Sequence, residues 1–189
     1  MPRPALFVRA ALWLWFAAAI AGGYYLVLQR LAPIALPVLI IGLSAIALYV
    51  YFRVPGLRDW LDNLDPLTLV QLHLTRFIGG YFIVLFYRGD LPYAFAVPAG
   101  IGELFVALLA VGLVTIPLDP ARQRQYLTRW NLIGLIEMMV LTVSAARIYA
   151  AHPPQLRALT HLPLSLLPLF LFPLLIATHV MIFARLLRR

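Results

Sequence analysis

Long apolar runs separated by short polar stretches set the pattern of this chain. A helix that crosses a bilayer needs about 20 mostly apolar residues. Six segments meet that length: residues 10–29, 31–52, 67–87, 91–116, 128–150 and 162–184. No window alternates apolar and polar residues for long, which argues against a membrane β-barrel. The pattern therefore predicts an all-α integral membrane bundle of six transmembrane helices, forming a single domain over residues 1–189. Arg3 and Arg9 followed by Ala19-Ile20-Ala21 have the outline of a signal peptide, but the apolar run continues through Leu28, so it reads as the first span. Between the second and third segments, PGLRDWLDNLDP places Leu57, Trp60, Leu61 and Leu64 on one face of a short helix, with Asp59, Asp62 and Asp65 opposite. Such a helix is expected to lie on the membrane surface.

Composition agrees with the pattern. The chain is 63% hydrophobic and 12% charged, against about 45–50% and about 25% in soluble domains. A chain of 189 residues cannot bury that excess in a water-soluble fold. A soluble enzyme, a disordered chain and a nucleic-acid-binding domain are excluded on this ground. The absence of Cys removes disulfides, thiolate metal sites and Cys nucleophiles. The net charge is +8, and all 15 basic residues are Arg. Their distribution carries the orientation signal. Ten lie at the termini and in the second–third and fourth–fifth connections, whereas Arg30, Arg88, Arg147 and Arg157 make four on the other side. The positive-inside rule then puts both termini in the cytoplasm of a multi-pass protein of the cell inner membrane. The expected partners are the lipid bilayer and a small molecule or ion, with a homodimer as one way for so short a chain to enclose a pathway. Nucleic acid is not among them.

Polar residues inside the spans change the picture. The third segment carries Gln71, His73 and Arg76, the fourth Glu103, the fifth Asn131 and Glu137, and the sixth His179. Each charge at the bilayer centre costs about 2.5–3.5 kcal/mol on the insertion scale, so these groups are expected to face inward and pair. Counted from the external helix ends at about 1.5 Å per residue, Arg76, Glu103, Glu137, His73 and His179 fall within a band about 9 Å thick. The backbone nearby is marked as well. AVPAGIGE places Pro98, Gly100 and Gly102 just before Glu103, which predicts a break or kink. Gly79-Gly80 follows Arg76, and Pro168 and Pro173 should bend the sixth helix.

The chemistry follows from the pairing. Arg76 is expected to meet Glu103 or Glu137, with the other carboxyl neutral or bonded to His73, because one guanidinium cannot compensate two buried carboxylates. Such a site suits a proton-coupled transporter or another ligand-binding membrane protein, with Arg76 as anchor or anion contact, the two Glu as proton carriers and His73 beside them. An alternative is a membrane redox protein with His73 and His179 as axial ligands of haem b. A metal site built from His73, Glu103, Glu137 and His179 lacks the usual ligand spacings, and no nucleophile motif marks a hydrolase. A third reading is an accessory or assembly subunit in which the cluster only fixes the fold. Ser144 and Ser165 read as packing residues, and His152 and His161 as surface histidines.

RFIGGYF from Arg76, GDLPYAFAVPAGIGE from Gly89 to Glu103 and WNLIGLIE from Trp130 to Glu137 together resemble small bacterial polytopic inner-membrane proteins without an assigned function. In those proteins the acidic residue after the PAGxG run is usually Asp, and here it is Glu103. The resemblance implies that Arg76, Glu103 and Glu137 belong to one site. It implies no activity, ligand or cofactor.

Overall fold

The structure, a computed structural model, describes residues 3–32 and 34–188. Arg189, counted above with the cytoplasmic arginines, lies outside the described residues. Among the described residues every regular element is helical. In order they are α1 (Arg3–Tyr24), a 3-10 turn (Val27–Arg30), α2 (Ala35–Arg53), α3 (Pro55–Asp62), α4 (Pro66–Leu72), a 3-10 segment (His73–Ile78), α5 (Gly79–Tyr87), α6 (Tyr93–Thr115), α7 (Pro120–Ala151), a 3-10 segment (Pro153–Thr160), a π-helical turn (Leu167–Leu171) and α8 (Phe172–Leu186). Among the described residues six helices are long and apolar enough to cross a membrane: Pro4–Tyr24, Ala35–Arg53, Pro66–Tyr87, Tyr93–Thr115, Pro120–Ala151 and Leu167–Leu186.

Local chemistry sets the ends. Asp65 accepts the Leu67 N–H at 2.9 Å with Pro66 in the first turn of α4. Asp119 accepts the Arg122 N–H at 3.1 Å with Pro120 opening α7. Both are the pairing of a capping carboxylate with a proline whose missing N–H would have no partner there. This cap starts α7 about two turns before the apolar run begins. The first helix ends at Tyr24, short of the expected residue 29, where Leu26 turns left-handed (φ 52°). Gly22 and Gly23, both weak helix formers, occupy its last turn.

The chain divides into two compact units. The first is Met1–Leu64 with Arg157–Ala177. Here α1 and α2 pack against the π-helical turn, around a core of Ala19, Leu28 and Leu169 flanked by Leu36, Leu39 and Phe170. Pro173 has no N–H to give the Leu169 carbonyl four residues earlier, and the Trp15 indole donates to that carbonyl at 2.8 Å instead. Trp15→Phe should therefore lower the unfolding free energy by about 1–3 kcal/mol, the cost of an unsatisfied buried acceptor. Adding Pro173→Ala should restore much of the loss by resupplying the donor. Denaturant titration of both variants in detergent checks this, and equal stability of Trp15→Phe and wild type would refute it. In the same unit Leu57 of α3 is buried and Trp60, Leu61 and Leu64 are half-buried, as the apolar face required. Two of the three acidic residues opposite it make specific contacts. Asp62 accepts from the Tyr51 hydroxyl at 2.6 Å and lies 3.7 Å from Arg58, while Asp65 caps α4.

The second unit is Asp65–Leu156 with Thr178–Arg189. Its core joins α5, α6 and α7 through Phe82, Phe95, Val106, Ala107, Ala110 and Met138, all buried. Small residues on α6 bring its neighbours close, as expected of tightly packed helices. The anticipated break at Pro98 does not occur: α6 runs unbroken from Tyr93 to Thr115. The distortions fall elsewhere, in the 3-10 segment before Gly79 and in the π-helical turn around Pro168.

Candidate functional site

All five of the ionisable residues singled out in the sequence lie in the second unit, and the arrangement starts from the 3-10 segment His73–Ile78. With three residues per turn, positions 73 and 76 line up on one face. Both His73 and Arg76 are fully buried. The Arg76 Nε–H donates to Glu103 Oε2 on α6 at 2.7 Å. Its Nη2 donates to Glu137 Oε2 on α7. Its Nη1 faces the Gly134 carbonyl and His179 Nε2, each at 3.4 Å. All three guanidinium nitrogens are thus committed to protein partners, which makes Arg76 an anchor for the two carboxylates and leaves it no free edge for an anion. Arg76 and Glu103 side chains are 0% exposed, and Glu137 is 16% exposed.

Four glycines hollow out the space. A Cβ at Gly79 would stand 2.6 Å from the Glu103 Cβ and from the Gly100 carbonyl oxygen. A Cβ at Gly102 would stand 2.8 Å from Glu137 Oε1. A Cβ at Gly134 would stand 2.5 Å from His179 Cε1 and 3.2 Å from Arg76 Nη1. The glycines in PAGIGE and NLIGLIE therefore serve as missing volume on continuous helices, rather than as breaks. Gly134 was not flagged in the sequence, although its place between Asn131 and Glu137, three residues from each, is the signal that marks it.

The histidines are placed differently from expectation. His179, rather than His73, meets Arg76. Asn131 fixes it: its Nδ2 donates to the His179 carbonyl at 3.0 Å, and its Oδ1 accepts from His179 Nδ1 at 2.7 Å. With Nδ1 the donor, Nε2 presents its lone pair to Arg76. Asn131, noted only as polar in the sequence, is thus part of the cluster. His73 bonds neither carboxylate; its Nε2 lies 3.0 Å from Thr178 Oγ1 and its ring stands edge-on to Trp130. Two polar atoms, His73 Nδ1 and Glu103 Oε1, are buried with no hydrogen-bond partner among the described residues.

Axial ligation of a haem needs imidazoles on opposite faces of a porphyrin. The His73 and His179 ring centroids are 4.2 Å apart, a contact distance that leaves no room for a macrocycle between them. These two residues do not fit that group. Among the described residues no three His, Asp or Glu side chains are placed to hold a metal ion.

A cleft of about 380 Å³ separates α6 from α7 beside the cluster. Phe95, Pro98 and Ala99 line one wall, Ile136, Glu137 and Val140 the other, with Ser144 further along. Glu137 is its single charged lining residue among those described. The cluster as a whole offers one sealed ion pair, Arg76 with Glu103, and one carboxylate that touches both Arg76 and open space.

No curated protein and no solved structure matches the chain. A family model does, and it covers every residue of the cluster. Residues 33–187 match the Domain of unknown function (DUF8737), and the chain belongs to that family.

Proposed function

We propose that the chain is a six-span protein of a bacterial inner membrane, with both termini cytoplasmic, that binds a small ligand or ion at mid-depth and moves it in exchange for protons. Several features support insertion. Trp13, Leu14 and Tyr87 are 69%, 72% and 82% exposed. In water such apolar surface costs about 25 cal/mol per Å², and against acyl chains it costs nothing. The ten-to-four partition of Arg supports the cytoplasmic placement of both termini.

One observation carries the functional reading: the cleft-facing Glu137 is tied to a sealed Arg76–Glu103 pair. With both carboxyls ionised the trio holds one net negative charge. One proton makes it neutral, and so does one bound monovalent cation. Net charge within hydrocarbon is expensive, so the two occupants exclude each other and their movements are linked. Glu137 is the exchanging acid. Glu103 holds Arg76, Arg76 holds Glu137, and Asn131 and His179 support the guanidinium from behind.

Proteoliposomes loaded with a pH-sensitive dye and given an inside-acid gradient test this reading. The outside receives sodium, potassium or tetramethylammonium in turn. At least one class should draw protons out through wild-type protein, and Glu137→Gln should reduce that flux to the level of protein-free vesicles. Equal flux through Glu137→Gln, or no class that moves protons, would overturn it.

A further inference from the structure

We infer that the cleft between α6 and α7 takes a lipophilic organic cation with a single positive charge, held against Glu137 in place of the proton. The inference deepens the exchange reading above and rests on it.

The donor set selects the ligand. Anions are refused, because the first charge they would meet is the Glu137 carboxylate and every Arg76 nitrogen is already engaged. Hard metal ions are refused for a different reason. They need several oxygen ligands to replace their water, and the walls supply Phe95, Pro98, Ala99, Ile136 and Val140 around one carboxylate. A strongly hydrated ion entering that lining would lose its shell without compensation. An organic cation brings its own apolar surface and a weakly hydrated charge. The walls accept the first and Glu137 accepts the second.

Size and access agree. A volume of about 380 Å³ lies within the range of about 300–1,000 Å³ that holds drug-sized molecules. Ile136 and Val140, at the cleft, are 54% and 60% exposed, so its mouth is apolar. The wall also lacks a competing positive group. Pro98 has no N–H to offer the Ala94 carbonyl one turn back, and both residues line the cleft. The ionisable groups that surround Glu137 are Arg76 from the 3-10 segment and Glu103 from α6, with His179 and His73 on the far side of the guanidinium. None of those four lines the cleft. A bound cation therefore meets Glu137 alone, and charge balance requires one proton to leave for each cation that binds.

Three probes of one shape test the inference: methyltriphenylphosphonium, neutral triphenylmethanol and anionic triphenylacetate. Purified full-length protein in detergent should bind the phosphonium saturably, one per chain, and release about one proton into weakly buffered solution. The carboxylate should not bind. Glu137→Gln should weaken phosphonium binding at least about tenfold, Glu137→Asp should retain it, and Val140→Trp, at an exposed position of the cleft wall, should block it by filling the cleft while leaving the ion pairs intact. Binding of all three probes alike, or unchanged phosphonium binding by Glu137→Gln, would overturn the inference. If the phosphonium fails to bind while another solute drives Glu137-dependent proton flux, the ligand class falls and proton exchange stands. If it binds without releasing a proton, the exchange reading falls and the cation site stands.

Discussion

Arg76→Met should be the most destabilising single substitution in the cluster, lowering unfolding free energy by about 3–5 kcal/mol. The cost does not come from the attraction lost. It comes from what remains: Glu103, fully buried, and Glu137, mostly buried, both deprived of their counter-charge. Met keeps the apolar stem of Arg but stops short of the guanidinium, so the substitution changes packing as well as charge. A control separates the two. Arg76→Met combined with Glu103→Gln and Glu137→Gln removes every charge of the trio, and replacing a buried ionic group by neutral residues of similar volume is often neutral or stabilising by about 1–4 kcal/mol. The triple variant should therefore be far more stable than Arg76→Met alone, while showing no proton-linked flux. Glu103→Gln alone should cost less than Arg76→Met, because Arg76 keeps Glu137 as partner. Chemical denaturation in detergent, followed by tryptophan fluorescence, gives all three values. A triple variant as unstable as Arg76→Met would mean that the guanidinium acts through its packing.

That comparison also marks how far the sequence alone reached. Six long apolar helices were legible because apolar length is counted directly, and Arg76, Glu103 and Glu137 were legible as a group because no buried charge is tolerated alone. The structure brings those three together. Which histidine stands behind Arg76 was not legible. Spacing placed His73 and Arg76 on one face, and they do share it. Yet the shared face stacks His73 beside the guanidinium, toward Thr178 and Trp130, and leaves the contact to His179 from α8. That choice depends on how helices distant in sequence are rotated about their axes, a quantity that residue spacing within one helix does not contain. The role of Asn131 was hidden for the same reason, since its partners, the His179 carbonyl and imidazole, lie on another helix. PAGIGE misled in another way. Pro and Gly together usually mark irregular backbone, but a proline can sit within a helix that tolerates one lost hydrogen bond, and glycine can serve by absence of volume. Only the neighbour across the interface distinguishes the two uses.

The adjacent glycines of α5 turn that distinction into an experiment. Gly79→Ala should lower stability by about 1–3 kcal/mol, as overpacking does, whereas Gly80→Ala should be neutral or raise it by about 0.5–1 kcal/mol through helix propensity. The substitution is the same and the positions are consecutive, so propensity cannot account for an opposite sign. Space can. At Gly80 the nearest atom to an added Cβ is a Leu104 methyl at 3.9 Å, an ordinary contact. At Gly79 the Cβ would meet the Gly100 carbonyl oxygen and the Glu103 Cβ, both at 2.6 Å, and neither belongs to a flexible side-chain end that can swing away. The α5 and α6 backbones must separate. Arg76 lies three residues before Gly79 and Glu103 three after Gly100, so the separation acts on the Arg76–Glu103 bond of 2.7 Å itself. Gly79→Ala should therefore weaken proton-linked flux together with stability, and Gly100→Ala, whose Cβ meets the Gly79 carbonyl oxygen at 2.6 Å, should reproduce both losses from the other side of the contact. Thermal denaturation and the vesicle flux assay on the three variants decide the matter: if Gly79→Ala and Gly80→Ala behave alike, close approach of the two backbones is not what holds the ion pair in place.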